Sequence, residues 1–381
     1  MKAYKIFFLF LLNITAHAYP NYIGYGYNSC LTCHYNPHGN GPLTDYGRAV
    51  SATVIADKTI WKSNVSDDEI GERSGFLYQK AFTSWLRPSI NYRGLGLKTN
   101  LGESKSETEI IHMMANVNVV AKFGKNDKYY ASGTFGYAPK PRGHRTNDEP
   151  EYRSREAYAG MRVNKNWGVY SGLMDKVFGI RVPDHIAFSR AVTGLTMNDQ
   201  SMGATVHYTR PEFEAGLQYF FGNPNEEEDV KQVGFSTQME YTLGPKSRVG
   251  GSFLNSESEY LKTSMWSLHG RWGFDKGSSI MAEVGQVTKT PVVTETDLTS
   301  RYLFFQNHVL LRRGTFYFTT IEFFWANVEK DDKVLRLGPG LQYLPFQGLE
   351  LRVDLYNSRV FSEKNFSNDS WSLAGQVHIW L

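Results

Sequence analysis

The C-terminal stretch Trp371-Ser372-Leu373-Ala374-Gly375-Gln376-Val377-His378-Ile379-Trp380-Leu381 decides the fold. Trp371, Leu373, Gly375, Val377, Ile379 and Leu381 put an apolar residue or glycine at every second position. Ser370, Ser372, Ala374, Gln376 and His378 alternate with them, and only Trp380 breaks the pattern. Period two places the two sets on opposite faces of one extended strand. A strand with an apolar outer face and a polar inner one suits a barrel that has lipid outside and water inside.

Working back from this stretch, the same alternation recurs between turn-forming residues. Sixteen strands are predicted: 88–99, 107–123, 128–138, 151–163, 166–174, 200–209, 212–221, 230–243, 246–255, 260–274, 278–290, 301–313, 314–328, 333–344, 348–359 and 370–381. The connections form two sets. One is tight, as at Arg210-Pro211, Gly244-Pro245 and Arg313-Gly314. The other is long and polar, as at 139–150, 175–199, 222–229, 291–300 and 361–369. Short periplasmic turns alternating with longer external loops are a property of bacterial barrels. A soluble sandwich or propeller would call for a repeat of fixed period, and none is visible.

Composition agrees with this reading. The 381 residues include 23 Tyr, 24 Phe, 8 Trp and 35 Gly, a mixture that favours antiparallel strands. No interior apolar run reaches the roughly 20 residues of a membrane-spanning helix. The 41 Lys and Arg against 38 Asp and Glu leave no basic footprint for nucleic acid.

At the other end, Lys2 and Lys5 precede the apolar run from Ile6 to Leu12, and Ala16-His17-Ala18 offers a small-x-small cleavage site. Residues 1–18 therefore read as a secretory signal. Removal of its two lysines leaves 39 basic side chains against the same 38 acidic ones. The chain then divides into an N-terminal segment at 19–75, whose cysteines are read next, and an outer-membrane β-barrel at 76–381, with the N-terminus of the exported protein in the periplasm.

Cys30-Leu31-Thr32-Cys33-His34 is a C-x-x-C-H sequence, and it assigns this segment to haem binding. Two thiols three positions apart can form thioethers with both vinyl groups of one porphyrin, while His34 turns back to ligate the iron. The competing explanations are a zinc site or a redox dithiol. Zinc would want further thiolate or imidazole ligands, and the chain has no third cysteine. A redox pair would want a βαβ context, which is absent. The expected cofactor is one covalent haem c. Behind the motif, Asn36-Pro37-His38-Gly39-Asn40-Gly41-Pro42 is turn-rich enough to lie against a porphyrin face, and residues 43–58 read as a short helix. His38 falls on the same side of the ring as His34, so a turn or propionate contact suits it better than the opposite axial position.

A C-x-x-C-H site behind a signal peptide and ahead of a sixteen-stranded barrel resembles the fused outer-membrane monohaem cytochrome–porins. The run CHYNPHGNGPLTDYGR is also similar to outer-membrane proteins that carry C-x-x-C-H and a Gly-rich run before Tyr-Gly-Arg. The resemblance in architecture spans the whole chain, and Cys30, Cys33 and His34 transfer residue by residue. It implies electron transfer between the periplasm and the exterior, with a soluble cytochrome or similar periplasmic carrier as partner and an external donor or acceptor. The best-known members are iron oxidases, but architecture alone does not carry iron oxidation over, and the enzyme class stays open between an electron-transfer protein and an oxidase of an external donor such as ferrous iron. The competing function is a porin-like channel whose haem segment is a plug, sensor or structural cap.

The alternation also assigns the lumen. Met202, Ala204, Val206 and Tyr208 face lipid, so His207 points inward; Trp266, Leu268 and Trp272 do likewise, so His269 and Arg271 point inward. His378 and His308 follow by the same argument. All four lie late in strands that descend towards the periplasm, and each is a candidate distal iron ligand. His185, on the longest loop, is a fifth, and methionines are a diffuse alternative. The stretch Phe178-Gly179-Ile180-Arg181-Val182-Pro183-Asp184-His185 is too apolar for a free surface loop and is expected to fold into the lumen as a constriction. The acidic runs Glu226-Glu227-Glu228-Asp229 and Glu329-Lys330-Asp331-Asp332 belong to external loops, as solvated segments or as sites for cations bridging lipopolysaccharide.

Overall fold

In the computed structural model, residues 20–381 are described except 82, 103–105, 138–150, 183–186, 331 and 363–364. The signal peptide read at 1–18, His185 and the 139–150 loop lie outside the described residues.

The strands are β1 (Leu86–Thr99), β2 (Glu107–Phe123), β3 (Tyr129–Tyr137), β4 (Tyr152–Arg153 and Ala157–Arg162), β5 (Trp167–Met174), β6 (Ser201–Thr209), β7 (Phe213–Phe221) and β8 (Val233–Gly244). They continue with β9 (Ser247–Glu257), β10 (Leu261–Gly273), β11 (Ser279–Pro291), β12 (Leu298–Arg312), β13 (Thr315–Asn327), β14 (Asp332–Phe346), β15 (Leu349–Ser362) and β16 (Asn365–Trp380). Both pieces of β4 pair with β3, so the sheet has sixteen staves. Each pairs antiparallel with its neighbour in sequence, and β1 closes the ring on β16 from Asn91↔Trp380 to Lys98↔Leu373. Closure leaves no edge strand, which a lipid environment requires because unpaired backbone groups would find no partner there.

All sixteen predicted strands are present, and the errors are at their outer ends. The expected long loop at 361–369 is strand for much of its length: Ser362 stands opposite Asn365. Likewise β12 begins at Leu298 rather than 301. Side-chain alternation stops where lipid stops, whereas ladder bonds are made by backbone and continue into water. The tight connections are where the alternation placed them, at Arg313-Gly314 for example.

The side chains are distributed inside out. Ile110, Val117, Phe135, Leu217 and Leu268 are exposed on the outer wall, while Glu240, Arg271, Glu322, Arg336 and Arg352 are buried in the lumen. Charged partners meet there: Arg271 with Glu240, Arg248 with Glu214, Arg336 with Glu322, and Arg352 with Asp354 at 2.7 Å.

Two segments fill the lumen. The first runs from residue 20 to about 80 and enters from the tight-turn mouth. It carries α1 (Pro20–Ile23), α2 (Asp45–Val50) and α3 (Asp67–Glu72). Its backbone bonds the turns themselves: Asp57 N–H donates to the Leu344 carbonyl at 2.9 Å, and Gly314 N–H to that of Ile55 at 3.0 Å. Val50, Ile55 and Ala56 pack with Phe316 and Leu344, and the Trp380 ring lies against them.

The second is the loop between β5 and β6, with α4 (Phe188–Thr193). Phe178, Val192 and Leu195 bury against Phe220, Leu254, Met265, Val287 and Tyr302 of the wall. The loop does fold inward as its apolar sequence required. Its irregular backbone is satisfied by wall side chains: Gly179 N–H donates to Ser252 Oγ at 2.9 Å, Ile180 N–H to Glu283 at 2.8 Å and Phe188 N–H to Glu322 at 2.6 Å. Buried donors without such partners would each cost about 1–3 kcal/mol.

Candidate functional site

The C-x-x-C-H sequence forms a single tight turn inside the tight-turn mouth. Cys33 N–H and His34 N–H both donate to the Cys30 carbonyl, at 3.1 and 2.9 Å. This fold-back sets the two cysteines one turn apart. The following chain returns to brace the turn, with His34 bridged to Leu43 and Thr44 N–H donating to the Cys33 carbonyl at 2.8 Å. Thr44 then caps α2 by accepting from Gly47 N–H at 3.0 Å. The helix lies so close to the motif that a Cβ on Gly47 would stand 2.4 Å from the Cys33 oxygen. Only glycine permits that approach. The expected helix at 43–58 is thus α2 followed by one widened turn at Ser51–Ile55.

The turn-rich stretch after the motif is clamped to three parts of the lumen. Asn36 donates to Glu156 at 3.0 Å, Asn40 to Asp175 at 2.6 Å, and the Tyr130 hydroxyl to the Tyr35 carbonyl at 2.8 Å. Gly41 sits at φ +62°, where a Cβ would strike the Glu156 carboxylate. Arg87 grips Asp45 through two bonds at 2.6 and 2.9 Å, a bidentate pair that fixes the start of α2.

Burial controls the protonation of the motif. It pushes the Cys33 thiol up to about 12, with the neighbouring Cys30 adding to the effect, and it raises Cys30 as well. Burial also lowers His34 to about 4, and lowers His38 to about 3 with His207 beside it. Both imidazoles are therefore neutral near pH 7, the form that ligates metal. His34 Nδ1 and His38 Nε2 are buried without hydrogen-bond partners.

Two cavities, of about 250 and 170 Å³, flank the motif. Cys30, His34, Gly41, Asn91, Arg271 and His378 line both. This donor set fits a covalently held haem: paired thiols on one turn, a neutral imidazole with an unpartnered ring nitrogen, and space on either side. Cys30 and Cys33 would carry the thioethers and His34 would ligate the iron. Among the described residues no group of three His, Cys, Asp or Glu side chains is arranged to hold a bare metal ion.

The four strand histidines are all buried in the lumen, in four different settings. His378 lines both cavities with His34, and its ring contacts Arg93 at 3.0 Å, Glu350 at 3.2 Å and Asn91 at 2.9 Å. His207 meets Glu214 at 3.0 Å and stands edge-on to His38, with ring centroids 5.3 Å apart. His269 is held by Glu240 at 3.0 Å and lines neither cavity. His308 also lines neither; it stacks on Phe318 and bonds Gln306 at 3.2 Å. The structure thus sets His378 on the cavities that Cys30 and His34 line and His207 beside His38, while His269 and His308 line neither cavity. Sequence reasoning missed Arg93 and Asn91, which line the first cavity. Both lie on β1, where the alternation is weaker than on β16.

These features define a porin-like outer-membrane β-barrel with a cysteine-and-histidine turn enclosed in one mouth. Solved structures carry the same fold. A loop-deletion form of OmpT, an outer membrane protein of Vibrio cholerae, superposes with a TM-score of 0.63 at 11% identity over 78% of this chain and 99% of that one. The outer membrane channel DcaP of Acinetobacter baumannii gives 0.58 at 11% identity over 78% and 97%. An anion-selective porin from Comamonas acidovorans gives 0.57 at 8% identity over 78% and 99%. No family model and no curated protein sequence matches the chain.

Proposed function

We propose that this chain is an outer-membrane cytochrome–porin that passes electrons through one haem c attached at Cys30 and Cys33 and ligated by His34. The observation that supports it most is the enclosure of the motif: a turn with neutral His34, flanked by two cavities, inside a closed barrel. The haem when bound supplies a one-electron couple. The protein's part is to exclude bulk water from it, to fix His34 and to surround it with paired charges, all of which tune potential. His378 is the first candidate for the distal position, since it lines the same cavities as His34. The tight turns mark the periplasmic side and the long loops the exterior. The site lies in the periplasmic half, so with a hydrocarbon core about 30 Å thick an external donor, such as ferrous iron, would have to reach down past the β5–β6 loop.

A plug or structural cap is the second reading. It is favoured by the backbone bonds that tie residues 55–59 to the β12–β13 and β14–β15 turns. The test is the intact mass and the reduced-minus-oxidised spectrum of protein from outer membranes of a host that attaches c-type haem. A mass increase of one haem with a sharp c-type α-band is expected. A bare polypeptide mass would overturn the cytochrome reading and leave the cap.

A further inference from the structure

On the side of the C-x-x-C-H turn that faces out of the tight-turn mouth lies an open depression of about 560 Å³. Ser29, Leu31 and Thr32 form one side of it, and the β4–β5 and β6–β7 turns form the others. Arg162, Lys165 and Arg210 line it, all three are exposed, and no ion pair among the described residues engages them. The Arg210 guanidinium rests over the Tyr208 ring, 5.5 Å from its centroid. A fourth lining cation, Arg248, is committed inward to Glu214. No carboxylate lines the depression among the described residues.

Some other cations on this mouth are paired. Lys58 pairs with Asp67 at 2.6 Å, Arg73 with Glu69 at 3.0 Å, and Lys122 with Asp127 at 2.8 Å. Three unneutralised cations therefore line the depression beside the cysteine turn, while Lys125, Lys276 and Arg312 stand exposed on other tight turns. Like charges around a concave wall do nothing for folding; they focus a positive field on whatever approaches.

Resting on the haem reading above, we infer that this depression docks the acidic face of a soluble one-electron carrier protein against the cysteine turn. With a haem held by Cys30 and Cys33, docking would set the carrier's redox centre against the turn that holds it, and a single electron would cross. The carrier is oxidised as the haem is reduced, or the reverse, and no bond is made and no proton moves. Complementary charge fixes the orientation and raises the encounter rate.

The test uses haem-loaded, full-length protein in detergent, oxidised and mixed in a stopped-flow instrument with two reduced soluble monohaem cytochromes, one with an acidic face and one with a basic face. The acidic cytochrome is expected to react faster, and its rate to fall as salt is added. In the triple variant Arg162→Glu, Lys165→Glu, Arg210→Glu the acidic rate should drop by at least about tenfold at low ionic strength, and the order of the two partners should reverse. A triple Gln variant should lie between. Lys165 and Arg210 sit on exposed turns and Arg162 at the exposed end of β4, and heat-modifiable migration on a gel verifies that each variant is folded. Rates indifferent to the variants in a haem-loaded protein would overturn the inference alone. So would unchanged rates accompanied by loss of co-purifying anionic phospholipid, which would make the patch a lipid anchor. A bare polypeptide mass would overturn the haem reading, and the inference with it.

Discussion

The tight-turn mouth and the long-loop half of the barrel are both filled, but with different chemistry. At the tight-turn mouth the insert is an N-terminal segment held largely by polar bonds to backbone, as where Arg313 donates to the Ala56 and Ala52 carbonyls at 2.6 and 3.0 Å. In the other half the β5–β6 loop is held by an apolar patch on the wall, with Phe178 and Phe220 at its centre, together with backbone bonds to the wall side chains Ser252, Glu283 and Glu322. The mouths also differ in charge. Exposed Lys125, Arg162, Lys165, Arg210, Lys276 and Arg312 mark the tight turns, whereas Glu227, Glu228, Glu259, Glu295 and Glu329 are exposed on the long-loop side. The difference teaches that one wall can receive a chemically committed insert from one side and a purely obstructive one from the other. Among the described residues, only the first carries thiols and a neutral imidazole.

The sharpest way to break the comparison is at the cysteines. Cys30→Ser with Cys33→Ser should abolish haem attachment completely, seen as a bare polypeptide mass, while the barrel keeps its heat-modifiable migration. The tight-turn insert would then be as inert as the loop. The next largest effect falls in the other half. Glu322 accepts from Phe188 N–H and pairs with buried Arg336. Glu322→Ala should cost about 3–5 kcal/mol by leaving that guanidinium short of its carboxylate and should release α4. Planar-bilayer recordings should show higher conductance; unchanged conductance would mean that the loop is not the constriction.

A smaller effect is expected at Gly47. Gly47→Ala forces a methyl against the Cys33 carbonyl, for a cost of about 1–3 kcal/mol, and should lower the haem-loaded fraction at unchanged barrel stability. The smallest is a pH effect. His38 is neutral in the fold down to about pH 3, whereas an unfolded imidazole takes its proton near 6.5. The docked segment therefore holds its full stability above about 6.5, then loses about 1.4 kcal/mol per pH unit from this group as pH falls. Protease protection of the segment should fade over that range, and His38→Gln should remove much of the dependence. The His38→Gln variant at each pH is the control, since the β5–β6 loop carries acidic groups of its own in Asp175 and Asp199.

Much of the candidate site was legible and much was not, for reasons visible in particular residues. The C-x-x-C-H spacing is local, and so is the turn that realises it; the inward direction of His207, His269, His308 and His378 follows from period two. Which of them approaches His34 was not legible. That depends on where a segment some 170 to 345 positions earlier docks, and no local pattern encodes it. Trp380 makes the point most clearly. It broke the alternation of the very stretch that revealed the fold, and the structure supplies the reason: its ring turns inward to cover Val50, Ile55 and Ala56.

The sequence by itself determined the wall: strand number, face assignment, tight and long connections, and the presence of one thiol–imidazole turn. Each rests on periods of two residues or on turns of a few, so each is written within a single strand or loop. The tertiary structure alone decided what the wall encloses: the depth of the cysteine turn, its pairing with His378 across two cavities, the bare cations beside it and the loop that fills the other half. Those depend on contacts between segments distant in sequence, where shape and unsatisfied polar groups select the partner.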